Sequence, residues 1–375
     1  MSEPRKIVLI LGNGFDLDLG LKTSYKDFWK SEFCPKDYPA PLITHLNQKW
    51  GDDIDGVKWY DLENEFLNYY NSIPDPSIGI DIITDEEKEF LKGFTSFGFQ
   101  NRWYEGKEEL LTSLINKGVL LYNTDRIIPY IGEHLKEDAL KTPIWRDNKA
   151  FNLIKEGLCK YIQSESDEPY NGDSVALAVL YAANYSREAG DFLNIYTFNY
   201  TSLPVDYGKE FRSIVHYVHG DCKKGNIIIG TRDDGVYDNN YDFFQKSFDP
   251  NFNPPALVAD LLDADEVIIF GHSIGENDRQ YFKSFFKQQT DYVTARGKDI
   301  TIFTWDDHSE VEIKRSLQKM TDNNLSTLYG LNHVEIIKTS MIKEKPERIN
   351  AFLLKHICDS MQVRVTLQKL LRSDR

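Results

Sequence analysis

Four short motifs place polar or reactive residue types directly after apolar runs. Gly12-Asn13-Gly14-Phe15-Asp16 follows Lys6 to Leu11, and Asn199-Tyr200-Thr201 follows Phe192 to Phe198. His219-Gly220-Asp221 follows Ile214 to Val218, and Gly271-His272-Ser273-Ile274-Gly275, leading to Asp278, follows Glu266 to Phe270. Glycines after a strand let the backbone approach an anion, and the helix that follows offers N–H groups, which is how an α/β sheet builds a phosphate-facing turn. The dinucleotide fingerprint itself is incomplete, because Leu17 stands where its third glycine would fall. Ligands of open α/β sheets bind outside the carboxyl ends of strands. The four motifs are therefore expected to converge on one site.

Each residue also has a plainer reading. A histidine before glycine is often a turn residue, and an asparagine at a strand end caps an unusual backbone angle. His216 is expected to be buried or stacked, while His45, His134 and His356 lie in helical or connecting sequence. Glu63, one helical turn after Trp59, either reaches the site or belongs to the polar face of an amphipathic helix. Gly271-His272-Ser273-Ile274-Gly275 also fits G-x-S-x-G, the nucleophile elbow of serine hydrolases, with Asp306 or Asp307 as the acid. The histidine of that esterase reading fails: His333 precedes its strand and belongs at the opposite sheet edge. Glu276-Asn277-Asp278 is also bulky and charged where the elbow wants small residues.

The elements that position these motifs read as an alternating α/β chain. Strand signals fall at Lys6 to Leu11, Phe192 to Phe198, Ile214 to Val218, Ile227 to Ile229, Glu266 to Phe270, Ile300 to Thr304 and Val334 to Ile337. Helical stretches at Asn277 to Gln289 and His308 to Met320 separate the last three. Helical spacing dominates from Trp59 to Gly190, with stretches at Glu108 to Leu121, Phe151 to Gln163 and Val175 to Ser186. The expected fold is a Rossmann-like, mainly parallel sheet covered on both faces, with a large helical insertion. A discontinuous core would comprise residues 1-58 and 190-345, the insertion residues 59-189, and a C-terminal helix residues 346-375.

Composition narrows the function classes. The chain has 375 residues, 41% hydrophobic and 13% aromatic, enough for a large core. Its formal charge of −15 repels phosphate backbones, so nucleic acid is not an expected partner. Cys34, Cys159, Cys222 and Cys358 form no C-x-x-C pair, which fits a reducing, cytoplasmic compartment and predicts no metal. No apolar run approaches ~20 residues, so no membrane span is expected, and no signal peptide is read at the start.

Taken in order, the motifs resemble the AbiH family of phage abortive-infection proteins. Leu11 to Asp16 followed by Gly20-Leu21-Lys22-Thr23-Ser24-Tyr25-Lys26-Asp27-Phe28 looks like its N-terminal signature. Trp59 to Glu63, Phe198 to Thr201, His219-Gly220 and Gly271 to Asp278 match its later blocks. That family in turn resembles the sirtuin fold, whose G-A-G turn, G-I-P segment, strand-end asparagine and H-G pair correspond to Gly12 to Gly14, Gly20-Leu21, Asn199 and His219-Gly220. The resemblance implies an antiphage effector that binds NAD or a related nucleotide and hydrolyses its nicotinamide–ribose bond. Asn199 and His219 would be catalytic, Asn199 holding ribose hydroxyls or water and His219 acting as base. Gly12, Asn13, Gly14, Phe15, Asp16, Gly271, Ser273 and Asp278 would bind the nucleotide. A phage-derived trigger and self-association into a homo-oligomer are the further partners to test. Two departures matter. The paired zinc cysteines of deacylating sirtuins are absent, which argues against deacetylation. Thr201 stands where sirtuin-like defence NADases often carry aspartate, which favours the rival reading of a non-catalytic nucleotide-binding or protein-interaction module.

Overall fold

Lys6–Leu11 is too short for a buried helix and almost uniformly apolar, the signature of a central strand buried on both faces. A computed structural model describes residues 5–51, 61–73, 143–185, 192–203, 213–233 and 239–356 without 343, together with 235, 236 and short pieces between 84 and 128. Trp59 and the tail beyond His356 lie outside the described residues. The chain divides into two compact units, one formed by Met1–Ser24, Ile162–Ile227 and Asn253–Arg375, the other by Tyr25–Tyr161 and Ile228–Phe252.

The first unit is built on a six-stranded sheet. Numbering all described strands in chain order, β1 is Lys6–Leu11, β2 Leu121–Asn123, β3 Arg126–Ile128, β4 Phe192–Thr197, β5 Ile214–Tyr217, β6 Glu266–Phe270, β7 Asp299–Thr304 and β8 His333–Lys338. The sheet runs β5-β4-β1-β6-β7-β8, and every neighbouring pair is parallel. Counted within this sheet alone, that is the doubly wound order 3-2-1-4-5-6. It is an α/β fold with an entirely parallel sheet.

Side-chain alternation divides each strand between two cores. Ile7, Leu9 and Leu11 of β1 join Ile268, Phe270 and Phe303 under the apolar helix Val175–Tyr185 and the helix Glu347–His356. Val8 and Ile10 face the other way, with Val267, Ile269, Ile300 and Ile302, under helices Arg279–Gln288 and Asp307–Met320. Helices on both faces explain why the central strands β1 and β6 are apolar on both faces beyond their first residues.

Two sequence expectations meet a different structure. Ile227 to Ile229 is buried but forms no strand; the nearest ladder contact is the isolated bridge between Thr231 and Gln245. Glu108 to Leu121 lies mostly outside the described residues, and its last residue instead opens the antiparallel pair β2–β3.

The second unit packs aromatics from its helices: Phe66 stacks on Phe244 at 5.5 Å and meets Phe151 edge-on at 5.2 Å. Its buried Asp147 accepts hydrogen bonds from Leu42 N at 2.9 Å and Tyr69 Oη at 2.5 Å.

At the amino edge of the sheet, the wholly buried Glu266 ties the helix Glu347–His356 to β6. Its Oε1 lies 2.8 Å from His356 Nε2, and its Oε2 accepts from Arg5 Nη2 at 2.7 Å. Burial pushes the Glu266 carboxyl up, but the His356 bond and charge, Arg5 and Lys355 together hold it below the usual range. A depressed carboxyl stabilises the fold above its unfolded value and loses that effect as pH falls through its folded value. Glu266→Ala leaves the buried His356 Nε2 without its carboxylate partner and is expected to cost about 3 kcal/mol, measured by urea unfolding at neutral pH.

Candidate functional site

Because all six strands of the sheet are parallel, their carboxyl ends share one edge. β1 and β6 are neighbours at its centre, and the chain leaves them toward opposite halves of the sheet: this is the switch point. Here the turns after the two strands lie backbone against backbone. A Cβ on Gly12 would stand 2.5 Å from His272 Cα, and one on Gly14 would stand 2.6 Å from Gly271 Cα. Gly271 has φ +64, and its own Cβ would lie 2.5 Å from Gly14. The three glycines are explained by this mutual approach.

Hydrogen bonds seal the same contact. Gly12 N–H donates to Phe270 O at 2.9 Å, Gly14 N–H to Gly271 O at 2.9 Å, and Phe15 N–H to Gly12 O at 2.8 Å. Phe15 and Asp16 are buried, so they act behind the surface, whereas Asn13 and Ser273 are exposed. Phe15 packs edge-on against Phe270 at 5.9 Å.

Asn199 follows β4 and turns in beneath the glycines. Its Nδ2 donates to Gly12 O at 3.1 Å and to Asp16 Oδ1 at 2.9 Å. Thr201 Oγ1 lies 3.0 and 2.9 Å from the two Asp16 oxygens. Thr23 completes the cluster, donating to Asn13 Oδ1 at 2.7 Å. Burial pushes the Asp16 carboxyl up to about 7, against the opposing hydrogen bonds of Thr201, Asn199 and Thr23.

A second cluster joins the ends of β5 and β6. His219 Nε2 lies 3.1 Å from Asp278 Oδ1, and His272 Nε2 lies 3.4 Å from Asp278 Oδ2. His272 Nδ1 accepts the Ile274 N–H at 2.9 Å, so its ring proton sits on Nε2, toward Asp278. Ile274 makes that bond with φ +51, a left-handed conformation that costs a β-branched residue on the order of 1–3 kcal/mol. Phe198 floors the cluster, its ring 5.2 Å from His219 and 4.3 Å from His272. The chain of contacts thus runs from Ile274 through His272 and Asp278 to His219, all with little solvent exposure.

The structure therefore gathers Gly12, Gly14, Asn199, His219, Gly271 and Asp278 at one edge of one sheet. Sequence reasoning passed over His272, which stood only as a variable position of G-x-S-x-G. The available signal was its place directly after a strand-end glycine. It also left Thr201 and Thr23 without a function. Glu63 lies in the second unit, buried, with Lys246 Nζ 3.0 Å from its Oε2. His216 is stacked on Tyr196 at 4.5 Å. Asp306 caps the helix Asp307–Met320, and His333 opens β8 at the amino edge, 3.4 Å from Asp299. The left-handed residues of the Gly271–Gly275 turn are Gly271 and Ile274, and Ser273 is not among the positive-φ residues.

Among the described residues, no group of three or more His, Cys, Asp or Glu side chains is placed to hold a metal ion, and no helix is long and apolar enough to cross a membrane. The sheet order and the strand-end clusters define a doubly wound α/β protein with its candidate site at the switch point. A sequence model of the family described as bacteriophage abortive infection AbiH matches residues 8–296, and the chain belongs to that family. Its role is accordingly in abortive-infection defence against phage. No curated protein and no solved structure matches it.

Two outcomes test this geometry. Gly271→Ala combines a methyl clash with a left-handed backbone and should cost about 2–4 kcal/mol in urea unfolding. Asp16, raised in the folded state, favours folding most below pH 3.8 and progressively less as pH rises to about 7. The stability of Asp16→Asn relative to the parent should therefore rise across that window and level off above it, read from unfolding curves at successive pH values.

Proposed function

We propose that the carboxyl edge of the sheet binds NAD or a related nucleotide and that the bound nicotinamide–ribose bond is hydrolysed there. The observation that carries this reading is the His219–Asp278–His272 cluster beside the switch-point turns, at 3.1 and 3.4 Å. A carboxylate on one ring nitrogen fixes the tautomer and orientation of a histidine and stabilises its protonated form. With Nε2 turned to Asp278, the lone pair of neutral His219 resides on Nδ1. His272, held by Ile274 N–H, positions Asp278 in turn.

The reaction asks for little else. Water bonds to the ribose C1′ as the C1′–N bond breaks, and the bonding pair goes to the pyridinium nitrogen, so nicotinamide leaves neutral. The proton lost by water passes to His219, and no general acid is required. The transition state carries positive charge on the ribose, which suits an edge bearing the Asp278 carboxylate. Asn13 and Ser273 are the exposed polar residues of the two turns and would meet the remainder of the nucleotide. The order of the motifs, which resembles that of the sirtuin fold, supports this reading.

The rival reading is a non-catalytic nucleotide-binding or protein-interaction module of the same defence system. NAD consumption separates the two, with purified protein and in phage-challenged cells. His219→Ala should retain nucleotide binding while turnover falls ~100-fold or more, and Asp278→Asn should lower turnover in the same direction. Unchanged NAD in every triggered condition, with protection intact, would overturn the hydrolase and leave the module. Protection lost in Ser273→Ala but kept in His219→Ala would instead revive a serine nucleophile.

A further inference from the structure

Asn-Gly pairs are open to a reaction of the chain with itself, because glycine sets no Cβ beside its own peptide nitrogen. That nitrogen attacks the asparagine Cγ, and the side-chain amide leaves as ammonia. The sequence holds two such pairs, Asn13-Gly14 after β1 and Asn171-Gly172 in the turn before the helix Val175–Tyr185. The structure treats them in opposite ways. At the first, Gly14 N–H donates to Gly271 O at 2.9 Å, and Asn13 Oδ1 accepts from Thr23 Oγ1 at 2.7 Å. Both residues lie in the helix Asn13–Asp18, so a ring closes there only after the contact with Gly271 has opened. At the second, both residues are exposed, and Gly172 N–H makes no hydrogen bond among the described residues. Asp173 N–H donates to Asn171 Oδ1 at 3.0 Å. That oxygen gains negative charge as nitrogen bonds to Cγ, so the donor stands where it stabilises the reaction. The two glycines also differ in what the fold asks of them. A Cβ at Gly14 would lie 2.6 Å from Gly271 Cα, whereas one at Gly172 would meet nothing within 4 Å. Gly172 is not among the positive-φ glycines either, so alanine fits there.

We propose that Asn171 is a site of spontaneous deamidation to aspartate and isoaspartate, and that the fold protects Asn13 from the same reaction. Gly172 N bonds to Asn171 Cγ, the Cγ–Nδ2 bond breaks, and ammonia leaves with the proton lost by the glycine nitrogen. The five-membered imide then takes up one water. Opening at Cγ gives an aspartate side chain. Opening at the main-chain carbonyl gives isoaspartate, whose chain runs through Cβ and Cγ and is one carbon longer. The longer product falls where the chain has little slack. Asn171 N–H donates to Leu19 O at 2.7 Å, and Ala176 N–H donates to Asp18 Oδ2 at 2.7 Å. Ser174 Oγ accepts the Leu177 N–H at 3.2 Å. The turn is thus fastened at both ends to the residues that seat the helix Val175–Tyr185, and isoaspartate at 171 strains that seat. The inference is independent of any nucleotide bound at the carboxyl edge.

The full chain is aged in mildly alkaline buffer, folded and in parallel unfolded in guanidinium chloride, then digested and its peptides weighed. Isoaspartyl methyltransferase marks the longer product. In the folded chain Asn171 should react within ~10-fold of its unfolded rate, because exposed turns open at almost no cost. Asn13 should react ~100-fold or more slowly than when unfolded, because its reaction waits on local opening. An intact Asn171 in the aged folded chain, or an Asn13 that reacts as fast folded as unfolded, overturns the proposal. Gly172→Ala, which the open space accommodates, should fold with unchanged stability and lose most of the reaction at 171. The same rate at 171 in this variant as in the parent overturns the attack by Gly172 N. After ageing, the parent should unfold at a lower guanidinium midpoint than fresh protein, and Gly172→Ala should not. An unshifted midpoint in parent rich in isoaspartate overturns the strain at the helix seat.

Discussion

The closest constraint in the first unit is the meeting of two turns at the centre of its sheet. Gly12 and Gly14 after β1 lie against Gly271 and His272 after β6, so near that a methyl group on any of the three glycines would fall about 2.5 Å from backbone. Parallel strands on either side of a switch point send the chain to opposite halves of the sheet. The turns leave side by side, and absent side chains let them close. Gly12 O then becomes a fixed acceptor for Asn199, and His272 is placed to meet Asp278. One packing event thus sets the coordinates of both polar clusters. It also engages the N–H groups of Gly12, Gly14 and Phe15 with backbone acceptors.

Around that contact Asp16, Asn199, Thr201, His219 and His272 are buried and paired. An apolar cluster of the same volume would serve stability as well or better, because taking charge out of water costs several kcal/mol per ion. What a fully connected polar network adds is orientation: each group is held in one rotamer by its neighbours. The second cluster shows the same logic with an added cost in backbone strain. Ile274, wholly buried, holds φ +51 and delivers its N–H to His272. Strain of that kind persists only where surrounding structure imposes it; here the core around Ile274 and the His272 ring impose it together.

Much of this was legible in the chain because strand ends carry their signature locally. The apolar runs at β1, β4, β5, β6, β7 and β8 each announce a strand, and polar motifs follow directly after β1, β4, β5 and β6. The order of strands was not legible, since it depends on how crossovers pack and no local pattern records it. Ile227 to Ile229 shows the limit of periodicity: burial made it apolar, but no strand pairs with it, and Gly230 with φ +141 ends the run. Likewise the pairing of Glu63 with Lys246 joins positions far apart in sequence, and neither signals the other. His272 was hidden by a stronger pattern, because a match to G-x-S-x-G draws the eye to its serine.

The substitution of Thr201 for an aspartate acquires a physical meaning from its neighbour. Thr201 Oγ1 lies 2.9 and 3.0 Å from the two oxygens of Asp16, inside a region with almost no solvent. A carboxylate at position 201 would face a second carboxylate across that distance, and two such groups cannot both ionise in low dielectric. A hydroxyl at 201 and a carboxyl at 16 form a donor–acceptor pair where two acids would form a repulsive one. The carboxyl beside Asn199 is therefore supplied by the turn after β1 and not by the segment after β4. Judged by what touches Asn199, Thr201 removes no acid from the site; it is the residue that lets Asp16 be that acid.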